Sequence, residues 1–94
     1  MTPEDQKFKA WLESQPDYGI FTTGQCRCPL GRYAKEVHRI KNPQVGLSTF
    51  REAGSDKWFE VATARVPVLL LIDTWFGFMT ARRFKALYAE SNKA

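Results

Sequence analysis

The chain has 94 residues, enough for one domain with a modest hydrophobic core. Hydrophobic residues make up 44% of it and aromatic residues 14%, a composition that argues against intrinsic disorder. The formal net charge is +4, and residues 27–41 alone account for it, since the charges elsewhere cancel. A clustered charge favours an acidic partner, either a nucleic acid or a protein surface, although a solvated helix face shows the same pattern.

The first helix is predicted to begin at Thr2, a good N-cap residue, with Pro3 in its first turn. Its apolar stripe has helical spacing and consists of Phe8, Trp11 and Leu12. Pro16 ends the helix. Residues 17–25 follow as a predicted loop, from which Ile20 and Phe21 are expected to reach the core.

The second helix is predicted to begin near Cys28, with Pro29 at its first position, and to end at Asn42-Pro43. Its apolar side consists of Leu30, Tyr33, Ala34, Val37 and Ile40. Three cations fall on the opposite face and are candidate binding residues: Arg32, Lys35 and Arg39.

Both cysteines and the only histidine lie in this region, at Cys26, Cys28 and His38. Zinc sites usually need four ligands, so a carboxylate such as Asp17 or a second chain would have to complete one. Ten helical residues separate Cys28 from His38 by about 15 Å, which counts against a shared metal and against a cysteine–histidine catalytic pair. We therefore expect no metal, no cofactor and no enzymatic activity.

Two strands are predicted over residues 45–51 and 58–64, joined as an antiparallel hairpin by the turn residues 54–56. The apolar run 66–72 has no decisive period. Its β-branched residues favour a third strand, whereas Pro67 favours the start of a helix, so both interpretations stay open.

The last helix is predicted to begin after Thr80. Its apolar stripe is Phe84, Leu87 and Tyr88, and its outer side holds Arg82, Arg83 and Lys85.

The segment before this helix, Trp75-Phe76-Gly77-Phe78-Met79, is too rich in large side chains for all of them to face inward. We expect part of it to be exposed or to contact a partner, through Trp75, Phe76 and Phe78; the alternative is a buried connection. The predicted fold class is therefore a small single-domain α+β protein over residues 1–94, with two N-terminal helices, a hairpin and a C-terminal helix.

The run Cys28-Pro29-Leu30-Gly31-Arg32-Tyr33 resembles the Cys-Pro-Leu-Ala-x-Tyr-Leu helix start of small uncharacterised bacterial and bacteriophage proteins. Gly31 stands here for the alanine and Ala34 for the final leucine. The resemblance implies a phage, prophage or mobile-element accessory protein. Many proteins of this size from such settings resemble inhibitors of host defence, anti-CRISPR proteins among them. No functional residue is transferred by it.

These observations lead to one expected function and two alternatives. The first is a non-enzymatic inhibitor in the bacterial cytoplasm that binds a host protein or nucleoprotein complex with an acidic surface. The second is a small basic module with weak, non-specific nucleic-acid binding through its helical cations. The third is a thiol- or metal-dependent function at Cys26 and Cys28. Contact with a membrane is not expected, because the longest apolar run is far too short to span a bilayer.

Overall fold

The computed structural model describes residues 1–24 and 27–93 and confirms the predicted α+β class. In these residues the chain forms four α-helices, a two-stranded antiparallel sheet and a three-stranded antiparallel sheet. In chain order the elements are α1 (Pro3–Ser14), β1 (Ile20–Thr22), α2 (Pro29–Glu36), β2 (Pro43–Val45), β3 (Thr49–Glu52), β4 (Phe59–Glu60), α3 (Arg65–Ile72), β5 (Phe78–Thr80) and α4 (Ala81–Ser91).

Helix α1 starts with a capping box, which confirms the predicted N-cap at Thr2. The N–H of Asp5 donates to the Thr2 hydroxyl at 3.1 Å, and the N–H of Thr2 donates to the Asp5 carboxylate at 3.0 Å. The other carboxylate oxygen of Asp5 accepts hydrogen bonds from the N–H and the hydroxyl of Thr63, at 3.2 and 3.0 Å. The buried Asp5 side chain therefore connects the start of α1 to the segment that leads into α3.

Strand β1 pairs with β5, which lies near the other end of the chain, and Phe21 stands opposite Met79. The predicted loop over residues 17–25 is therefore wrong for residues 20–22. Three residues are too few to show a period, and their pairing partner is distant in sequence. Phe21 is fully buried as expected, but Ile20 points outward and is 46% exposed.

Helix α2 begins at Pro29, as predicted, and Cys28 is its N-cap, but the helix ends at Glu36 and not near residue 42. Arg39 adopts a φ of 59°, in the left-handed region that commonly terminates helices. The helical spacing behind the prediction of one continuous cationic face therefore stops before Arg39.

Strands β2, β3 and β4 form the three-stranded sheet, with β3 in the middle. The predicted single strand over residues 45–51 is wrong, because the N–H of Gly46 donates to the Thr49 carbonyl at 2.8 Å and closes a turn inside it. The predicted strand over 58–64 is shortened to β4, and a 3₁₀ turn, Ala62–Ala64, follows it. The expected antiparallel hairpin is present as β3 and β4.

The apolar run 66–72 belongs to helix α3, so the helical interpretation is correct and the run is not a strand. Pro67 lies in the first turn, where its missing N–H removes no intrahelical hydrogen bond. α3 has eight residues. In the part of the chain that the structure describes, none of the helices has the length and hydropathy of a membrane span.

The hydrophobic core joins all of these elements. Its fully buried side chains come from every part of the chain: Phe8, Phe21, Leu30, Tyr33, Phe50, Val61, Leu71 and Phe84. Aromatic rings meet edge to face, with centroids 5.2 Å apart for Phe8 and Tyr33 and 5.3 Å apart for Phe21 and Phe84. The latter contact fixes the β1–β5 pair against α4 and so fixes the position of the segment that precedes β5.

Candidate protein-docking surface

A tight turn joins α3 to β5 and presents two large aromatic side chains. The Thr74 hydroxyl donates to the Leu71 carbonyl at 2.8 Å, and the N–H of Gly77 donates to the Thr74 carbonyl at 3.3 Å. Gly77 has a φ of 67°, which only glycine adopts at little cost. Trp75 and Phe76 therefore occupy the two central positions of a β-turn, where small polar residues are usual.

The side chains of this turn lie in solvent. Trp75 is 98% exposed and Phe76 is 81% exposed. Phe78 is 48% exposed on the outer face of β5, with its ring centroid 5.9 Å from that of Phe76. Met79 points to the opposite face of the strand and is buried. We call the three exposed rings, Trp75, Phe76 and Phe78, the aromatic surface.

The aromatic surface is larger than the single exposed apolar side chains that are scattered over most protein surfaces. A fully exposed aromatic side chain presents about 150–250 Å², so the three rings together expose on the order of 500 Å². The largest apolar patch on a typical monomer is about 300–600 Å² and is often functional. Trp and Tyr are also the residues most enriched among those that dominate binding energy at interfaces.

An apolar groove opens beside the aromatic surface. It has a volume of about 250 Å³ and is lined by Thr23, Cys28, Leu30, Val45, Gly46, Leu47, Val68, Leu71 and Ile72. The groove wall at Thr23 approaches Gly77, since a Cβ added to that glycine would lie 4.0 Å from the Thr23 hydroxyl.

Two arginines follow the aromatic surface along the chain. Arg82 and Arg83 are exposed in the first turn of α4, directly after β5. Lys85, predicted with them as an outer cation, is engaged within the domain. Its ammonium forms a 2.9 Å ion pair with Asp17 and donates a hydrogen bond to the Gln15 carbonyl. Of this predicted trio, Arg82 and Arg83 are therefore the two exposed members.

The α2 cations do not form the predicted common face. The Arg32 guanidinium is half-buried, lies 5.2 Å from the centroid of the Phe21 ring and donates to the Gln15 side chain at 3.1 Å. It therefore braces α2 against β1 and the end of α1. Lys35 is exposed on α2, and Arg39 is exposed beyond the end of that helix.

Cys28 has a structural role at the start of α2. Its side chain is buried, and its sulfur accepts a hydrogen bond from the N–H of Gly31 at 3.2 Å. This is the contact expected of an N-cap, made here by sulfur. The prediction that a cysteine fills a small apolar site at the helix start is correct for Cys28. Cys26 lies outside the described residues.

His38 and Glu4 connect the end of α2 to α1. Nε2 of His38 lies 2.8 Å from the Glu4 carboxylate, and the Tyr33 hydroxyl donates to the same carboxylate oxygen. Burial opposes ionisation of Glu4, but the hydrogen bonds from Tyr33 and His38 outweigh it, so the Glu4 pKa lies below its ordinary value. The His38 ring also contacts Phe59, with centroids 4.6 Å apart. His38 is thus occupied by contacts within the fold.

Within residues 1–24 and 27–93, no three His, Cys, Asp or Glu side chains lie close enough together to hold a metal ion. The structure does bring the Phe76 and Phe78 rings together, with Trp75 next to Phe76 in the turn and with Arg82 and Arg83 following in the chain. Sequence reasoning did not identify the outer face of α3, which exposes Val66, Leu69 and Leu70. The sequence did contain a signal for this face. A helix made almost entirely of apolar residues has apolar side chains on every side, and a single core can cover only some of them.

Comparison with protein-family models, with curated proteins and with solved structures found no match to the chain.

Proposed function

We propose that the protein is a non-enzymatic accessory protein of a phage or other mobile element, which inhibits a host defence system by binding one of its proteins or nucleoprotein complexes. Binding takes place at the aromatic surface. The phage setting is supported by the resemblance of the run that begins at Cys28. The mode of action is supported by the geometry of the Thr74–Gly77 turn.

The single observation on which the proposal depends is the position of Trp75 and Phe76 at the centre of that turn. Folding gives no reason for large aromatic residues there, because neither ring packs against the core and a small polar residue would suit the turn better. Their exposure in water is unfavourable unless a partner covers them. An interface explains these two residues, and the nearby groove explains where the edge of the partner would fit.

The charge that follows the aromatic surface in the chain suggests the character of the partner. Arg82 and Arg83 are exposed in the first turn of α4, and neither lies within ion-pair distance of a carboxylate of the described chain. The pKa of Asp17 is lowered mainly by Lys85 and to a smaller extent by the Arg82 charge. Exposed cations at the rim of an interface mainly raise the rate of association with an acidic surface, whereas buried aromatic side chains slow dissociation. We therefore expect an acidic protein surface with an apolar centre.

Affinity capture from a bacterial lysate tests this proposal when three baits are compared. They are the wild type, Trp75→Ala, and the matched control Trp58→Ala. Trp58 is also exposed, at 49%, but it precedes β4 in the other sheet and lies against Arg51. A protein retained by the wild type and by Trp58→Ala, and lost by Trp75→Ala, would support the proposal. Captured proteins that are the same for all three baits would contradict it.

A second candidate function is nucleic-acid binding, because exposed rings followed by arginines can also stack on bases and contact phosphates. A mobility-shift titration with single-stranded and duplex DNA distinguishes the two. We expect only weak binding, with a dissociation constant above about 1 μM near physiological salt and a slope of about −0.9 per phosphate contact on the duplex. Nanomolar, sequence-selective binding would make this candidate the better one.

A further inference from the structure

The outer face of α3 is apolar although it faces solvent. All but one of the residues of α3 are apolar, a composition that usually belongs to a helix buried on every side. Here only one side is buried. Val66, Leu69 and Leu70 are 49%, 39% and 40% exposed. Their i, i+3, i+4 spacing places them in one stripe along the helix.

The charges at the two ends of this stripe are placed unfavourably for α3 itself. Arg65 is the first residue of the helix and Asp73 is its C-cap. A helix dipole favours acidic residues at its start and basic residues at its end, which is the reverse of this arrangement. Both side chains are exposed, and neither forms an ion pair with a residue that the structure describes.

The same charges are placed favourably for a second helix that runs antiparallel to α3. In such a pair, Asp73 of each copy lies beside Arg65 of the other, near the positive end of the opposing dipole. The sequence midpoint of this charged pair is Leu69, which is also the middle residue of the apolar stripe. One two-fold axis near Leu69 therefore satisfies the apolar and the charged contacts together, as a self-complementary interface requires.

We propose that the outer face of α3 pairs with the same face of a second copy of the chain, as an antiparallel α3–α3 dimer closed by two Arg65–Asp73 ion pairs. This interface uses α3 and not Trp75, so it is independent of the proposed function. Its consequence is that the dimer presents two aromatic surfaces, which increases the effective affinity for a partner with repeated sites.

Sedimentation velocity over a range of protein concentrations gives the first test. The monomer mass is 10.8 kDa. An interface of half-exposed aliphatic side chains is small, so we expect reversible association, with the average mass rising towards that of two chains between about 10 μM and about 1 mM. A mass that stays at the monomer value throughout this range would overturn the proposal.

A charge-reversal cycle shows whether α3 is the interface. Arg65→Asp and Asp73→Arg each place like charges together twice in the dimer, so each is expected to weaken it by about tenfold. The double variant restores opposite charges and is expected to recover most of the wild-type association, because only the smaller contribution of the helix dipoles is reversed. Arg39→Asp, a reversal at an exposed residue outside α3, should leave association unchanged.

Leu69→Asp supplies the apolar arm of the test and should abolish association. Circular dichroism checks that this variant is folded. Should it unfold, the charge-reversal cycle decides the question, since it changes only exposed side chains. The proposal would be overturned if neither single reversal weakens association, or if the double variant does not restore it. Either result would show that the interface lies elsewhere.

Discussion

Asp5 illustrates how a single buried carboxylate can connect distant segments. It accepts hydrogen bonds from Thr2 in its own helix turn and from Thr63 in the 3₁₀ turn. Burial alone would raise the Asp5 pKa, but these hydrogen bonds outweigh it, and the pKa lies below the ordinary value of 3.8. Because the folded-state pKa is depressed, the stabilisation is present above about pH 4 and is lost as the pH falls through the folded pKa.

Asp5→Asn should lower the free energy of unfolding by about 1–2 kcal/mol at neutral pH, since an amide cannot accept hydrogen bonds at both of its polar atoms. The difference from the wild type should shrink as the pH falls below about 4. Urea denaturation at several pH values measures both effects, with the exposed Asp56→Asn as control. A difference that is constant with pH would show that the charge of Asp5 is not the cause.

Cys28→Ser tests whether the thiol has a chemical role. Serine is a preferred N-cap residue and keeps an acceptor for the N–H of Gly31, so unfolding free energy should change by less than about 1 kcal/mol. Cys28→Ala removes the acceptor and should cost about 0.5–2 kcal/mol. Thermal denaturation measures both. Loss of partner capture by a fully folded Cys28→Ser variant would indicate that the thiol itself is required.

At the scale of elements, the β1–β5 pair separates a structural face from an exposed face. Phe21 and Met79 point inward to the core, whereas Phe78 points outward beside the aromatic turn. Trp75→Ala should therefore change the free energy of unfolding by less than about 0.5 kcal/mol. Phe21→Ala, by contrast, removes a fully buried ring and should cost about 3–5 kcal/mol.

Chemical denaturation followed by circular dichroism distinguishes these two variants. The double variant Trp75→Ala/Phe78→Ala is a more stringent test of folding, because the Phe78 side chain is only half-exposed. If the single variants Trp75→Ala and Phe78→Ala both unfold the domain, the aromatic surface is part of the core and the docking interpretation is wrong.

Elements whose signals are local could be predicted from the sequence. The helix starts after Thr2, Cys28 and Thr80 depend on side chains that cap the adjacent backbone, and all three are confirmed. The prediction failed where a distant contact decides the structure. Strand β1 forms only because β5 lies beside it.

Two further errors have local causes that the sequence does not show. Arg39 ends α2 by adopting a left-handed conformation, which is uncommon for a non-glycine residue and has no sequence signature here. Arg32 has the spacing of a surface cation, but its guanidinium contacts Phe21 and the Gln15 side chain.

The exposure of Trp75 and Phe76 was predicted from the crowding of large side chains in this segment. A buried connection was equally compatible with the sequence.

At the scale of the whole molecule, the apolar and the charged features are distributed unevenly. The aromatic surface, the groove and the outer face of α3 lie on or beside α3 and β5. Of the predicted cations, Lys85 and Arg32 support the fold, while Arg82, Arg83, Lys35 and Arg39 are exposed. Only some of the basic residues behind the net charge of +4 are therefore free to act on the surroundings of the protein.

Charge and aromatic contact should influence different rate constants of binding. Reversal of Arg82 and Arg83 to Glu should slow association with an acidic partner and reduce its salt dependence, with little effect on dissociation. Surface plasmon resonance at two ionic strengths measures this effect. An association rate that does not respond to the reversal would show that these arginines lie outside the interface.

The most direct test of the docking surface is the dissociation rate of the captured partner from immobilised wild type, Trp75→Ala and Trp58→Ala. If Trp75 is an anchor worth about 2 kcal/mol, its removal should speed dissociation by about 30-fold, because the ring is buried only in the complex. Trp58→Ala should dissociate at nearly the wild-type rate. Equal dissociation rates for all three proteins, or faster dissociation for Trp58→Ala alone, would contradict the assignment of the aromatic surface as the docking site.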